Sequence, residues 1–166
     1  MRNSIPRYIY RGESLDDIQK HGQLTFNYDA EYVAKQLTAS SDVYTASSTD
    51  IKSSDTLDFL LLESVHVNGT GHRQTSGYLA FTASLDRAKW YATNQSYEKG
   101  RVFKIDTHKL PNEQFRISKL AEQVTHKNNK DVINLMRSDE ELSVFATKNA
   151  KIIPDEAISE IIDVCN

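Results

Sequence analysis

Short β-type runs alternate along this chain with helical segments, without the regular strand–helix–strand repeat that builds a parallel sheet. Residues 101–106 and 142–146 alternate apolar and polar side chains, which is the pattern of a half-buried strand. The aromatic and β-branched run at 8–11 predicts a first strand that stops at Gly12. The sequence therefore predicts an α+β domain.

Helix signals lie between these strands. Ser14 precedes a turn rich in acids, and Gly22 ends the same segment, which predicts a short capped helix. Ser84 is predicted to cap a second helix over residues 86–92. Residues 55–65 carry leucines at helical spacing and predict a helix packed on the core.

The remaining segments predict shorter elements. Residues 78–81 predict a strand, and residues 152–154 and 158–164 predict two last strands joined by a turn. Residues 39–54 are rich in Ser, Thr and Asp, which is typical of a loop. With 166 residues and no internal repeat, we expect a single domain that spans the whole chain.

Composition excludes several classes of function. A net charge of −3 argues against a broad basic surface for nucleic acid. Cys165 is the only cysteine, so the chain forms no internal disulfide and no cysteine-based metal cluster. No apolar run is long enough for a membrane span, and the first residues lack the apolar stretch of a secretory signal. We therefore expect synthesis in the cytoplasm, with any export using a route other than the general secretory one.

Two kinds of site are disfavoured by spacing. The histidines are scattered, without a pair at helical spacing or a flanking carboxylate pattern, so no metal site is predicted; they are His21, His66, His72, His108 and His126. Gly69-Thr70-Gly71 lacks the third glycine of a dinucleotide-binding loop, because position 74 is glutamine. We interpret Gly69-Thr70-Gly71 as an ordinary turn.

Polar residues at strand ends are the candidates for chemistry. Arg11 is either an exposed arginine or a fixed fork that grips phosphate or ribose oxygens, with Gly12 allowing a ligand close to the backbone. Asp139 and Glu141 are either solvated or directed to one side as an acid/base pair, while Glu140 points away. Thr82 is either an ordinary strand-end hydroxyl or part of the same site.

Taken together, these segments resemble the mono-ADP-ribosyltransferases of the cholera-toxin-like, arginine–serine–glutamate type. Four stretches carry the resemblance in the family's order, at residues 10–22, 66–70, 77–82 and 139–143. The resemblance implies an ADP-ribosyltransferase-like split β-sandwich flanked by helices. It also implies a bacterial toxin or effector that moves ADP-ribose from NAD to a macromolecular target.

The resemblance assigns roles to individual residues. Arg11 is expected to hold the phosphates and ribose of NAD, and Glu141 is expected to stabilise the oxocarbenium ion that forms as nicotinamide leaves. Asp139 is expected to orient or deprotonate the nucleophile. The NAD-binding residues are completed by Gly12, His66, Ala80, Phe81 and Thr82.

Partners follow from the same resemblance. NAD is the co-substrate and no metal is needed. The target is expected to be a protein, with a cognate immunity or antitoxin protein as a further partner and no membrane partner. Because the family's Glu or Gln two residues before the catalytic glutamate is Asp139 here, arginine is a candidate for the modified side chain.

One departure from the family's pattern leaves two other functions open. Ala80 stands where the family has the first serine of its Ser-Thr-Ser strand, so a hydroxyl that helps to hold the catalytic glutamate is missing. One alternative is an NAD glycohydrolase, in which water replaces the target. The other is a degenerate module that binds a nucleotide or a partner without chemistry.

Overall fold

The computed structural model describes the chain in separate ranges. These are residues 5–26, 79–93, 98–119, 137–146 and 152–165, together with residues 134 and 150. The predictions of a loop at 39–54, a helix at 55–65 and a turn at 69–71 lie outside the described residues, as does His66. Within the described part, no helix is long and apolar enough to cross a membrane.

Eight regular elements occur among the described residues. In chain order they are β1 (Tyr8–Ser14), α1 (Leu15–His21), β2 (Leu79–Thr82), α2 (Leu85–Ala92), β3 (Gly100–Asp106), β4 (Phe115–Ser118), β5 (Glu141–Ala146) and β6 (Ile158–Val164). Two short 3₁₀ turns, Thr107–Lys109 and Asp155–Ala157, follow β3 and precede β6. The strand pairs with a described register are antiparallel, so the prediction of an α+β fold is confirmed. The split sandwich stays a prediction.

The chain divides into two compact units, and each is built from separate stretches of sequence. Unit 1 consists of Met1–Thr25, Phe81–Pro111 and Ile152–Asn166. Unit 2 consists of Phe26–Ala80 and Asn112–Lys151.

In unit 1, β1 pairs with β3 along its whole length. The ladder runs from Tyr8 opposite Asp106 to Ser14 opposite Gly100. Strand β6 pairs with the other edge of β3, and β2 meets β1 at its last residue. The prediction that β1 stops at Gly12 is therefore wrong, because the hydrogen-bonded pairing continues for two residues beyond the glycine.

Helix α2 packs directly on the backbone of these strands. A Cβ atom added to Gly12 would lie 1.9 Å from the carbonyl oxygen of Ala88, and one added to Gly100 would lie 1.8 Å from that of Ala92. Ala88, Ala92 and Val102 form the buried centre of this contact. The two glycines and two alanines therefore set how closely the helix approaches the sheet.

Both helices begin and end where local hydrogen bonding dictates. The Ser14 hydroxyl accepts a bond from the Asp17 amide at 3.1 Å, and the Ser84 hydroxyl accepts one from the Arg87 amide at 3.2 Å. Gly22 ends α1 with a φ of 81°, a conformation that glycine adopts without steric cost. The predictions of these two helices are confirmed.

The C-terminal segment differs from its prediction. Ile152 forms only an isolated bridge with Thr25, and Pro154 has no N–H to donate to a ladder. A 3₁₀ turn follows instead of a tight hairpin turn. The strand predicted at 152–154 is therefore wrong, whereas β6 confirms the strand predicted at 158–164.

In unit 2, β4 and β5 form an antiparallel pair with one apolar face. Phe115 lies opposite Ala146, and Ile117 lies opposite Val144. The ring of Phe26 packs on Phe115 with centroids 6.0 Å apart. Strand β5 confirms the alternation over 142–146. Strand β4 was not among the predictions, because four residues show too little periodicity to identify a strand.

The close packing of α2 predicts a large cost for a single methyl group. Replacing Gly12 with alanine should lower the free energy of unfolding by about 1–3 kcal/mol or more, because the new Cβ clashes with backbone that cannot move aside easily. Gly22→Ala is the comparison variant: its Cβ meets only the Thr25 hydroxyl at 3.1 Å, so it adds the strain of a Cβ at a positive φ, about 1–2 kcal/mol, without a clash with backbone. Urea denaturation measures both. A smaller cost at Gly12 than at Gly22 would contradict this packing.

Asp106 closes β3 with a buried carboxylate. Burial raises the pKa of this carboxyl, but the hydrogen bond and charge of Arg7 and the His108 amide outweigh it, so the net pKa lies below its ordinary value. Arg7 donates to Asp106 at 3.3 Å, and the His108 amide donates to it at 3.1 Å. The folded state therefore favours the ionised carboxylate.

The pH dependence of stability follows from this lowered pKa. Because the unfolded chain binds the proton more tightly, stability from Asp106 is complete above its ordinary pKa of about 4 and is lost as pH falls through the lower folded-state pKa. Asp106→Asn should remove the part of the stability loss at acid pH that comes from this carboxylate. Urea denaturation at a series of pH values tests this, and identical acid profiles for the two proteins would contradict it.

Candidate functional site

Arg11 lies in the middle of β1, on the face opposite α2. Alternation along the strand places Ile9, Arg11 and Glu13 on one side, while Gly12 lies on the helix side. Arg11 is paired across the ladder with Phe103, which is fully buried. Its own side chain is only 13% exposed. The interpretation of Arg11 as an ordinary exposed arginine is therefore wrong.

Glu13 is the charged partner of this arginine. Its side chain is fully buried, and Oε2 accepts a hydrogen bond from Arg11 Nε at 2.9 Å. The second oxygen, Oε1, accepts one from the Leu24 amide at 2.8 Å. A carboxylate held through both oxygens cannot rotate without losing a bond, so it fixes the orientation of Arg11.

The turn that meets Glu13 is itself tightly constrained. Leu24 is fully buried and has a φ of 51°, in the left-handed region that leucine rarely adopts. Its carbonyl accepts a bond from the Ile153 amide at 3.1 Å. The bonds on both sides of Leu24 and its burial hold this conformation, which costs about 1–3 kcal/mol.

Strand β2 presents a different residue to Arg11 than the family resemblance implies. Thr82 pairs with Tyr10, and paired residues point to the same side, so Thr82 lies on the face opposite Arg11. Its hydroxyl accepts a bond from the Ser84 amide at 3.0 Å, at the start of α2. Phe81, one residue earlier, points to the Arg11 side and is buried. The described residues thus bring Arg11 and Phe81 to one face and leave Thr82 on the other.

Gly12 also has a structural explanation. The position of its missing side chain is occupied by the backbone of Ala88 and Ala92. Its lack of a side chain is accounted for by helix packing, so it gives no support to a ligand contact. The NAD-binding roles of Gly12 and Thr82 remain predictions.

The acidic motif lies at the start of β5, in unit 2. Asp139 is buried, Glu140 is exposed, and Glu141 is half-buried with its Oε1 withdrawn from solvent. The strand begins only at Glu141. Glu140 has a φ of 51°, so a left-handed turn directs it outward instead of strand alternation. Ala80, at the beginning of β2, belongs to the same unit.

Two further polar residues share the Glu141 face of the β4–β5 pair. Phe115 and Ile117 define the apolar face, so Arg116 between them and Ser143 on β5 point to the other side. Arg116 is only 5% exposed and Ser143 is fully buried. Among the described residues, the Ser143 hydroxyl has no hydrogen-bond partner. Arg116 and Ser143 are therefore two polar residues buried on this face.

Glu13 and Arg116 were not identified from the sequence. Glu13 carried a usable signal, because it is two residues from Arg11 in a strand and must share its face. Arg116 carried little, since its strand is too short to be recognised and an arginine is ordinarily exposed.

The described geometry supports recognition of an anion and stabilisation of a cation. Arg11 offers a guanidinium in fixed orientation, which suits the oxygens of a phosphate or diphosphate. Asp139 and Glu141 offer carboxylates away from bulk water, where their charge acts more strongly on a developing positive centre. Within the described residues, no group of three His, Cys, Asp or Glu side chains could hold a metal ion.

Comparisons with known proteins add little. No model of a protein family matches the chain, and no curated protein matches it. Among solved structures, the chain is similar to one named EcPltA, with 16% sequence identity and a TM-score of 0.43. The match covers 95% of this chain and 75% of that one. We draw nothing about function from so distant a likeness.

The buried hydroxyl of Ser143 predicts an unusual response to truncation. Ser143→Ala should change the free energy of unfolding by less than about 1 kcal/mol, because no described group loses a bond. Ser84→Ala is the matched control and should cost about 1 kcal/mol through its lost helix cap. Chemical denaturation compares them. A greater loss at Ser143 than at Ser84 would show that the hydroxyl stabilises the folded chain through another partner.

Proposed function

We propose that this chain transfers ADP-ribose from NAD to a protein side chain and releases nicotinamide. The observation that carries the proposal is the acidic motif, in which Asp139 is buried, Glu140 is turned outward and Glu141 keeps one oxygen out of solvent. A solvated acidic patch would expose all three. The choice of reaction comes from the resemblance to the ADP-ribosyltransferases. That resemblance is carried by residues 10–22, 66–70, 77–82 and 139–143.

Glu141 acts at the bond that breaks. The bond between the ribose C1′ and the nicotinamide nitrogen cleaves, its electron pair leaves with nicotinamide, and positive charge develops on the ribose ring. Glu141 accepts a hydrogen bond from the ribose 2′-hydroxyl and stabilises that charge. Withdrawal of a carboxylate oxygen from water strengthens this effect, because the surrounding dielectric is lower.

Arg11 and Asp139 act at the two ends of the reaction. Arg11 binds the diphosphate of NAD through its guanidinium, whose orientation is fixed by Glu13. Asp139 orients the attacking nucleophile and takes its proton as the new bond to C1′ forms. An arginine side chain is the preferred target, since a carboxylate at this position can hold a guanidinium. Phe81 and His66 are assigned to placing the nicotinamide ribose.

The adjacent glutamates allow a matched test of the reaction. Glu141→Gln should lower the rate of nicotinamide release at least about 100-fold, because it removes the charge that stabilises the transition state. Glu140→Gln makes the same change on an exposed side chain and should leave the rate unchanged. Nicotinamide release from NAD by purified protein, with lysate as the source of targets, measures both.

Labelled NAD separates the proposed transfer from its alternatives. Transfer requires label on protein, with the modified side chain identified by mass spectrometry. Nicotinamide release without any labelled protein or nucleic acid would instead identify an NAD glycohydrolase. NAD binding without turnover would identify a module without chemistry. Wild-type rates in Glu141→Gln would contradict the role of Glu141.

A further inference from the structure

Strand β6 is the edge strand of the sheet in unit 1. Its inner side pairs with β3, in regular register from Glu160 to Val164. Of the groups that the structure describes, only those of β3 bond to the backbone of residues 160–164. Because successive residues of a strand direct their backbone groups to alternate sides, the outer side of β6 presents a row of N–H and C=O groups that a further strand could pair with.

We propose that β6 pairs antiparallel with the β6 of a second copy of this chain, with Ile161 at the centre of the pair. The sheet of unit 1 then continues from one molecule into the other across the two edge strands. This inference does not depend on the proposed enzymatic function. It assigns an interaction surface to a strand that carries none of the candidate site residues.

Ile161 gives this edge an exposed apolar side chain. It is 47% exposed and lies opposite Phe103, on the face of the sheet that α2 does not cover. Its neighbours Ile162 and Val164 pack instead against the buried centre beneath α2. A second Ile161 directly across the new ladder covers the exposed one, because opposed residues of antiparallel strands have Cβ atoms about 4.5–5.5 Å apart.

The acids of β6 do not guard this edge against a second copy. Charged residues ordinarily protect an edge strand because like charges on two copies repel each other. Here Glu160 lies opposite Lys104, and Asp163 accepts a hydrogen bond from Arg101 at 2.8 Å. Residues 158–164 contain neither proline nor lysine, which are other common protections of an edge. Each acid therefore has a basic neighbour within its own sheet, and the repulsion between two copies is reduced.

Symmetry and charge together select the register of the pair. In a symmetric antiparallel pair, one residue of the strand lies opposite its own copy. Centring the pair on Glu160 or Asp163 would set two carboxylates directly opposite each other, which is destabilising. Centring it on Ile162 would place Asp163 against the exposed Ile161. Centring it on Ile161 pairs Glu160 with Ile162. Asp163 then meets the uncharged Ser159, where a shift in the β3–β6 register ends the regular edge.

The association state of the purified chain tests the pairing. In sedimentation equilibrium over a series of concentrations, the wild-type protein should form a reversible dimer. Ile161→Lys should raise the dissociation constant at least about tenfold, because it sets two like charges opposite each other at the centre of the pair. Ile152→Lys is the matched control. Ile152 is 51% exposed but lies outside β6, so the same change there should leave the dissociation constant unchanged.

A cysteine at the centre of the pair tests the register. The background is Cys165→Ser, which removes the exposed native thiol. Ile161→Cys in this background should give a disulfide-linked dimer on mild oxidation, because opposed residues bring their Cβ atoms close to the distance that a disulfide needs. Ile152→Cys in the same background should remain monomeric.

The two measurements decide the proposal together. A wild-type protein that stays monomeric at every concentration would overturn it, as would equal dissociation constants for the wild-type protein and a folded Ile161→Lys. A dimer that does not cross-link at residue 161 would overturn the register centred there. Thermal unfolding shows whether each variant is folded. If Ile161→Lys does not fold, cross-linking of Ile161→Cys and not of Ile152→Cys still supports the pairing, and its absence contradicts it.

Discussion

Helix α2 lies against the bare backbone of β1 and β3, and the remaining geometry of unit 1 depends on that contact. Gly12 and Gly100 supply no Cβ, so the helix closes over one face of the strands. The residues on either side of Gly12 along β1 point to the opposite face, because alternate residues of a strand point to opposite sides. Arg11 and Glu13 are therefore set on the face that α2 does not cover, and their ion pair forms there.

Features governed by neighbouring residues could be predicted from the sequence. The ends of α1 and α2 depend on hydroxyls that bond to amides three residues away, at Ser14 and Ser84, and such bonds need no tertiary contact. The role of Gly12 could not be predicted in this way. A glycine after an apolar run indicates the end of a strand, but here it allows a helix from a distant part of the chain to pack on the strand. No local pattern carries that information.

Part of the candidate site could be predicted from neighbouring residues, and part depends on pairing between distant segments. The sequence predicted that Glu140 points away from its neighbours, and Glu140 is exposed while Asp139 is buried, but the cause is a left-handed turn at Glu140 and not strand alternation. Thr82 was assigned to the ligand because its hydroxyl matches the resemblance, but strand register places it on the other face from Arg11. Register is set by pairing between distant segments, so sequence alone does not determine it.

Charged side chains are buried in both units. An ion pair such as Arg11–Glu13 gains less from its mutual attraction than it loses in hydration unless its geometry is excellent, and apolar residues of similar size often stabilise as well or better. Stability alone therefore gives no reason for Glu13 to be buried beneath an arginine, nor for Asp139 and Arg116 to be withdrawn from water in unit 2. The proposed binding of a charged ligand by Arg11 would give one for Glu13, because Glu13 fixes the orientation of that arginine.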